Sequence, residues 1–211
     1  MGRVSRSIEQ GLSAHITQRG NNQMHVFRSD ADHEVLLLLL KRAALRYPVA
    51  IHAYALMSNH FHLLVTPNGT ESLARTMQFI DGVYATYFNR TYHRTGSPWT
   101  GRYRPLPLTD EIYWLTCLRY IELNPVRAGI VDRPEDYRWT SYCAHAFGQA
   151  PSWLASHPVY DALGGSTDER CKNYRQLAES ALTNEQLIAS RCSLVERRNN
   201  VPMLEAVSER T

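Results

Sequence analysis

The sequence predicts an α+β fold in which helices pack on an antiparallel sheet, followed by a helical extension at the C-terminus. Strand-like stretches occur near the N-terminus and on both sides of a two-residue turn at 58–59. Stretches with helix start and stop signals lie between and after these strands. The resulting order of strand, helix, two antiparallel strands, helix, extended segment and helix is typical of a sheet that is covered by helices.

Alternation, capping residues and a proline define the elements of the first half. The first helix starts after an N-cap at Ser29 or Asp30 and must end before Pro48. The turn at 58–59 joins two strands, which therefore form a β-hairpin. The predicted elements are a strand at 14–18, a helix at 30–46, strands at 49–57 and 60–66, and a helix at 70–91.

Prolines and a capping aspartate define the second half. The extended segment at 99–108 contains Pro105 and Pro107, which permit at most an edge strand. Asp110 is the N-cap of the next helix, which an Asn-Pro pair ends at about residue 123. We expect the following stretch, which is rich in Trp and Tyr, to pack back on the domain.

A change in composition near residue 149 divides the chain into two predicted parts. Residues 1–148 are expected to form one domain, and residues 149–211 a helical extension. Within the extension, a Gly-Gly-Ser break precedes a charged helix predicted at 167–187. We expect the end of the chain to be disordered.

The composition favours a protein of the cytoplasm. No apolar run approaches the roughly 20 residues that span a bilayer, so no membrane partner is predicted. The N-terminus is polar and lacks a secretion signal. The four cysteines are too far apart in sequence for a zinc ribbon or a disulfide framework, and we expect reduced thiols.

A stretch rich in arginine and aromatic residues, at 82–109, contains no acidic residue. Arginine binds phosphates and aromatic rings stack on bases, so this mixture is typical of nucleic-acid binding. The alternative is a solvated helix face followed by a loop, with the aromatic residues in the core. The candidate DNA-binding residues of this stretch are Arg90, Arg94, Trp99, Arg102 and Arg104.

Two histidines, His60 and His62, occupy alternate positions of a predicted strand. Residues i and i+2 of a strand face the same side, so both imidazoles can reach one divalent cation, while Phe61 faces the core. The alternative is a pair of surface histidines, because the pattern is short. The pair is a candidate metal site.

A tyrosine and an asparagine one helical turn apart, Tyr120 and Asn124, form the second candidate site. The phenol could attack phosphorus and the amide oxygen could bind a metal, although a phenol with a pKa of about 10 needs activation. Two reservations stay open. Tyr120 is one of twelve tyrosines, most of which are expected to pack in a core, and Pro125 biases Asn124 away from helical dihedrals.

Several segments, in order between residues 13 and 145, resemble the single-tyrosine HUH transposases that are associated with REP sequences. These are relatives of the small insertion-sequence transposases. The segments are His15–Asn22, Ala55–Val65 (ALMSNHFHLLV), Gly96–Arg102, Leu118–Gly129 (LRYIELNPVRAG) and Glu135–Tyr142. The tail resembles the longer members of the family only loosely, around 162–177. The resemblance implies an HUH, ferredoxin-like α/β sandwich; one departure is the pair of prolines where a strand is expected.

The resemblance also implies a role for each matching residue. Tyr120 would be the nucleophile. His60, His62 and Asn124 would be the metal ligands, with water and the scissile phosphate completing the coordination of Mg²⁺ or Mn²⁺. Two imidazoles favour Zn²⁺ or Mn²⁺ over Mg²⁺, a hard ion that prefers oxygen, so of the two ions that the resemblance implies Mn²⁺ is expected to bind more tightly.

The implied reaction is the cutting and rejoining of single-stranded DNA through a 5′-phosphotyrosine, without a nucleotide cofactor. The expected partners are single-stranded DNA and DNA hairpins of the REP type, and Arg119 and Arg127 of the tyrosine segment join the candidate DNA contacts. Two rival functions are a non-catalytic protein that binds nucleic-acid hairpins and a metal-dependent hydrolase that uses the histidine pair alone. The sequence leaves open the oligomeric state and whether Tyr120 acts in its own chain or in a partner.

Overall fold

A computed structural model gives the fold and describes residues 8–183. The predicted fold class is confirmed, because a four-stranded antiparallel sheet is covered by helices. The strands are β1 (Ala14–Arg19), β2 (Val49–Met57), β3 (His60–Pro67) and β4 (Arg104–Pro107). The helices are α1 (Asp30–Arg46), α2 (Ser72–Thr91), α3 (Glu111–Glu122), α4 (Asn124–Arg127), α5 (Tyr142–Phe147), α6 (Pro158–Asp161) and α7 (Thr167–Thr183).

The sheet has the order β2-β3-β1-β4, and each neighbouring pair is antiparallel. The turn at Ser58–Asn59 joins β2 to β3 as a hairpin, as the sequence predicts. In β1, which lies between β3 and β4, Thr17 pairs with His62 on one side and with Arg104 on the other. Directly paired residues face the same side of a sheet, so these three residues form one row across it.

The edge strand β4 carries Pro105 and Pro107 and pairs with β1. Proline has no N–H to donate to a ladder, so it is tolerated at a sheet edge, where β4 lies. The backbone N–H of Leu108 continues the contact with a hydrogen bond of 2.9 Å to the carbonyl of Ser13. The predicted edge strand is therefore confirmed.

The sheet separates two hydrophobic cores, because alternate residues of a strand face opposite sides. On one face, Phe61 and Leu63 of β3 are fully buried among residues of α1 and α2. On the other face, Leu64 is buried among residues of α3. His60 and His62 alternate along β3 with Phe61 and Leu63, so the two histidines lie on the α3 face.

Local residues fix where the helices begin. The side chain of Asp110 accepts a hydrogen bond from the backbone N–H of Tyr113, so the predicted N-cap of α3 is confirmed. Helix α2 begins at Ser72 rather than at Thr70, where the sequence predicts its start. The reason is Glu71, whose φ of 58° is left-handed and incompatible with a right-handed helix.

The chain after α4 packs on the sheet and on α3. The aromatic-rich stretch returns to the sheet as expected, and Thr140 forms a bridge to Ala55 of β2. In the predicted extension, Tyr174 of α7 belongs to the same core as α3. The helix predicted at 167–187 begins at Thr167, whereas its end and the expected disorder lie outside the described residues. The division of the chain after residue 148 stays a prediction.

The described cysteines, Cys117, Cys143 and Cys171, are free thiols. The fourth, Cys192, lies outside the described residues. No helix between residues 8 and 183 is both long enough and apolar enough to cross a membrane.

Candidate active site

Side chains from three elements meet on the α3 face of the sheet. His60 and His62 come from β3, Tyr120 from α3, and Asn124 is the first residue of α4. The ring centroids of His60 and His62 are 4.8 Å apart, and those of His62 and Tyr120 are 5.8 Å apart. The amide nitrogen of Asn124 lies 3.2 Å from Nε2 of His62. The structure thus brings together the four residues that the sequence selects for catalysis and metal binding.

The strand period places the two imidazoles side by side. Phe61, between them, is buried in the opposite core. Nδ1 of His60 lies 2.6 Å from Oδ1 of Asn59, so this nitrogen donates its proton and Nε2 keeps the lone pair. His62 is buried, with only 1% of its surface exposed, whereas His60 is partly exposed. His62 therefore lies at the bottom of one polar site, and His60 lies at its solvent-facing edge.

A break between two helices orients Asn124. Leu123, with φ −88° and ψ 2°, ends α3, and α4 begins at the next residue. Pro125 then falls in the first turn of α4, where its missing N–H is not needed. The restriction that Pro125 places on the backbone dihedrals of Asn124 is accommodated by this break. The side chain of Asn124 therefore still faces the same imidazole as Tyr120.

A third imidazole, His15 of β1, completes the cluster, although the sequence predicts no role for it. Nε2 of His15 lies 2.8 Å from Nδ1 of His62, and its ring centroid is 5.9 Å from that of Tyr120. Oγ1 of Thr17 is 3.3 Å from the same Nδ1. The signal that could have found them is strand alternation, which puts both β1 side chains on one face.

Burial keeps the three imidazoles neutral. It lowers the pKa of His15 and of His60 to about 4, and the pKa of His62 well below its usual value. The positive charge of Arg19 acts in the same direction on the pKa of His60 and of His62. A neutral imidazole has a lone pair available for a cation at neutral pH.

Two arginines flank the cluster. Arg19 is directly opposite His60 in the pairing of β1 with β3. The guanidinium carbon of Arg127 lies 4.7 Å from the ring centroid of Tyr120. Positive charge at these positions favours a phosphate next to the imidazoles and the phenol. Arg127 is among the residues that the sequence predicts to contact DNA, whereas Arg19, which follows Thr17 by two residues on the same face of β1, is not.

The donor set fits a divalent cation. The two imidazoles can each present Nε2, and the amide of Asn124 can present Oδ1 after a half-turn, because its oxygen and nitrogen are exchangeable in position. Within residues 8–183, no three His, Cys, Asp or Glu side chains form a metal-binding group. The site therefore offers two imidazoles and an amide, a partial set that leaves positions for water and a phosphate.

Two candidate DNA-binding residues are engaged in packing. Trp99 is 5% exposed, its ring centroid is 5.7 Å from that of Phe61, and its indole N–H donates to the carbonyl of Asp81. Arg119 is half-buried and donates to the carbonyl oxygen of Leu177 in α7. Both side chains hold elements of the fold together, and the base stacking of Trp99 and the DNA contact of Arg119 stay predictions.

The other candidate arginines lie on both sides of the sheet. Arg104 is exposed and shares a cross-strand row with His62, so it lies on the face of the cluster. Arg102 is exposed in the loop before β4. Arg90 is exposed near the end of α2, which packs on the opposite face, and the guanidinium of Arg94 lies 5.9 Å from the ring centroid of Phe88 there. Their contacts with DNA stay predictions.

Comparison with known proteins relates this site to a family. The family model described as "Transposase IS200 like" matches residues 9–124. The matched range contains β1, both histidines of β3 and Tyr120, and it ends at Asn124. No curated protein matches the chain.

Two solved structures resemble this one. The first, described as a REP-associated tyrosine transposase bound to a REP hairpin, is 19% identical with a TM-score of 0.58, covering 74% of this chain and 93% of its own. At this identity the likeness shows the fold. The second, described as a transposase of Deinococcus radiodurans R1, is 18% identical with a TM-score of 0.39, covering 54% of this chain and 90% of its own. That weaker match adds no argument.

Proposed function

The chain belongs to the IS200-like transposase family, and from this we propose that it cuts and rejoins single-stranded DNA through a covalent bond to Tyr120. The observation that carries the proposal is the meeting of nucleophile and ligand candidates within one chain. The ring of Tyr120 lies 5.8 Å from that of His62, and the amide of Asn124 lies 3.2 Å from Nε2 of the same histidine. A phenol beside a phosphate held by a cation is the arrangement that phosphotyrosine chemistry requires.

The proposed reaction is a transesterification. The phenol oxygen of Tyr120 attacks the scissile phosphorus in line, and a new P–O bond forms while the bond to the 3′ oxygen breaks. The phenol loses its proton and the leaving 3′ oxygen gains one, so the products are a 5′-phosphotyrosine and a free 3′-hydroxyl. A 3′-hydroxyl can reverse these steps and rejoin a strand. No nucleotide cofactor is needed, because the phosphotyrosine conserves the energy of the broken bond.

Three side chains are proposed to hold Mg²⁺ or Mn²⁺: His60, His62 and Asn124. When bound, such a cation polarises the scissile phosphate and neutralises charge that develops on its oxygens. Burial supports the proposal, because it lowers the pKa of both histidines and keeps them in the neutral form that binds cations. Two nitrogen ligands favour Mn²⁺ over Mg²⁺.

The two flanking arginines are proposed to stabilise negative charge. The guanidinium of Arg127, over the ring of Tyr120, favours the phenolate that forms as the proton leaves. Arg19, opposite His60, is placed to bind a non-bridging oxygen of the phosphate. Both charges are at the site before DNA binds, so little reorganisation is needed when charge develops.

The proposed substrate is unpaired at the cut, because in-line attack by Tyr120 needs open access to the phosphorus. We propose a REP-type hairpin with a single-stranded 5′ extension, on the basis of the sequence resemblance. The position of Arg104 supports a path for the DNA that flanks the cut, because Arg104, Thr17 and His62 form one row across the sheet from the β4 edge to the histidines. Arginine contacts to the backbone are independent of base sequence and weaken with salt.

The test is the formation of a covalent adduct. Wild-type protein is incubated with Mn²⁺ and a labelled REP-type hairpin that carries a single-stranded 5′ extension. We expect a labelled band that survives SDS and is absent when EDTA is added. The same sequence as a full duplex, and an unstructured strand of equal length, are expected to react less. Cleavage without an adduct would indicate a hydrolase, and hairpin binding without cleavage would indicate a non-catalytic binding protein.

A further inference from the structure

We infer that His15 is a positioning residue, which holds His62 in the tautomer and ring orientation that leave its Nε2 lone pair facing Asn124. The inference rests on the proposed metal-binding role of His62. It concerns a residue that lies one strand away from the proposed ligands and would not itself bind the cation.

The two nitrogens of His62 have different neighbours. Nδ1 lies 2.8 Å from Nε2 of His15 and 3.3 Å from Oγ1 of Thr17. Nε2 lies 3.2 Å from the amide nitrogen of Asn124, and in this orientation of the amide Nε2 is the acceptor, whereas a half-turn would present Oδ1 to a bound cation. One side of the ring is therefore fixed by β1, and the other side is open to the proposed metal site.

A neutral imidazole carries one proton, and its position decides which nitrogen can bind a cation. With the proton on Nδ1, His62 donates to Nε2 of His15 and keeps the lone pair on Nε2. With the proton on Nε2, the lone pair would face His15 instead of the site. Histidine ligands commonly have their tautomer set in this way, by an acceptor behind the ring. His15 must then accept at Nε2, and its own proton lies on Nδ1.

The choice of an imidazole as acceptor suits a phosphate site. The more common acceptor behind a histidine ligand is a carboxylate, which would add negative charge. His15 is 4% exposed, and an imidazole that accepts at Nε2 with its proton on Nδ1 carries no net charge. It therefore fixes the ring of His62 without cancelling the positive charge of Arg19 and Arg127. A phosphate can then approach an undiminished positive field.

The contact of His15 with Tyr120 adds a second consequence. The two ring centroids are 5.9 Å apart with an angle of 69° between the planes, an edge-on contact. The rings of His62 and Tyr120 are also edge-on, at 83°. One side chain of β1 therefore touches both the proposed ligand and the proposed nucleophile, which fixes their relative orientation.

The test compares His15→Leu, which cannot accept a hydrogen bond, with His15→Gln, whose carbonyl oxygen can. Mn²⁺ affinity is measured by calorimetry, and the tautomer of His62 is read from ¹⁵N NMR of metal-free protein. We expect His62 to be protonated at Nδ1 in the wild type. In His15→Leu we expect a shift toward the Nε2-protonated form and an affinity for Mn²⁺ about 10–100-fold weaker. His15→Gln should restore much of both.

Thr17→Val is the comparison variant, because it removes the hydroxyl that lies 3.3 Å from Nδ1 of His62 and 3.5 Å from Nε2 of His15. Its effect on the tautomer and on the Mn²⁺ affinity should be smaller than that of His15→Leu. An unchanged Mn²⁺ affinity in His15→Leu would overturn the inference. It would also be overturned if His15→Leu and His15→Gln lost equal Mn²⁺ affinity in proportion to a fall in their melting temperatures. A wild-type Mn²⁺ affinity that survives His62→Ala would instead overturn the proposed function.

Discussion

The amide of Asn124 lies 3.2 Å from Nε2 of His62, although 62 residues separate them in the sequence. This contact joins the end of α3, the helix that carries Tyr120, to the centre of the sheet. Because Asn124 follows Tyr120 by one helical turn, the same face of the α3–α4 segment presents both groups to one imidazole. The position of Tyr120 over the histidine pair therefore depends on how α3 docks on the sheet.

Replacement of Tyr120 by phenylalanine should abolish both cleavage and the covalent adduct. The ring would keep its edge-on contacts with His15 and His62 and its place under Arg127, and only the attacking oxygen would be lost. Hairpin affinity, measured by anisotropy, should change less than about threefold. Tyr113→Phe, on the same helix, is the control and should still form the adduct. An adduct in Tyr120→Phe would mean that another tyrosine is the nucleophile.

Tyr120 is expected to act on the metal site of its own chain. Arg119 ties α3 to α7 of the same chain through the carbonyl of Leu177, and the rings of Tyr120 and His62 already meet. An equimolar mixture of Tyr120→Phe and His62→Ala proteins should therefore remain inactive in the adduct assay. Recovery of activity toward one quarter or more of the wild-type level would show that the tyrosine is shared between two chains.

Asn124→Ala should raise the Mn²⁺ concentration needed for cleavage. The variant removes the amide beside Nε2 of His62 but leaves both imidazoles in place. Loss of one of three protein ligands should shift half-maximal activation by about 10-fold or more, and excess Mn²⁺ should restore part of the rate. Gln149→Ala, at an exposed position, is the control. An unchanged metal requirement would mean that Asn124 only begins α4.

Features set by neighbours in the chain could be predicted from the sequence. The two-residue turn and the strand period put His60 and His62 on one face, and the side chain of Asp110 caps α3 where the sequence indicates. Each of these depends on residues within a few positions, where propensity and periodicity dominate. The pairing of β3 with β2 is equally local, because a short turn fixes its register.

Features that depend on distant contacts could not be predicted in this way. The bond from His15 to His62 needs the register of β1 against β3, which no turn between them fixes. The packing of Trp99 on Phe61 could not be predicted, because an aromatic ring suits a core as well as a nucleic acid. The contact of Arg119 with the carbonyl of Leu177 could not be predicted either, because the two residues lie 58 positions apart.

Asp81 of α2 should make stability depend on pH. Burial raises the pKa of Asp81 to about 7, and the hydrogen bond from Gln18 opposes this shift only in part. The folded protein therefore keeps a proton on this carboxyl up to about pH 7, whereas the unfolded chain loses it near pH 4. Between these values the folded state binds the extra proton, so the contribution of Asp81 to stability falls as the pH rises, by up to about 1.4 kcal/mol per pH unit.

Asp81→Asn removes this titration while its amide oxygen can still accept from Gln18. The free energy of unfolding of the variant, relative to the wild type, should increase between pH 5 and pH 8, as measured by urea denaturation. The exposed Asp136→Asn variant is the control and should show no such trend. A constant difference between Asp81→Asn and wild type across this range would contradict the assigned burial of the carboxyl.

Glu122, two residues after Tyr120, should be the side chain whose loss most weakens the docking of α3. Its carboxyl group is fully buried and accepts hydrogen bonds from Ser141, from Nδ1 of His145 at 2.8 Å and from the hydroxyl of Tyr174 at 2.5 Å. Glu122→Ala leaves the buried donors of His145 and Tyr174 without this acceptor, and Ser141 keeps only the carbonyl of Tyr54 at 3.3 Å, so the free energy of unfolding should fall by on the order of 3–5 kcal/mol. The stability of Glu122→Gln should lie between those of Glu122→Ala and the wild type, because the amide oxygen of Gln keeps part of the network.

Glu135→Ala is the control, because it breaks only a surface ion pair with Arg133, and it should lower the free energy of unfolding by less than about 1 kcal/mol. Equal losses in Glu122→Ala and Glu135→Ala, measured by urea denaturation, would show that this network does not hold the tyrosine helix on the sheet.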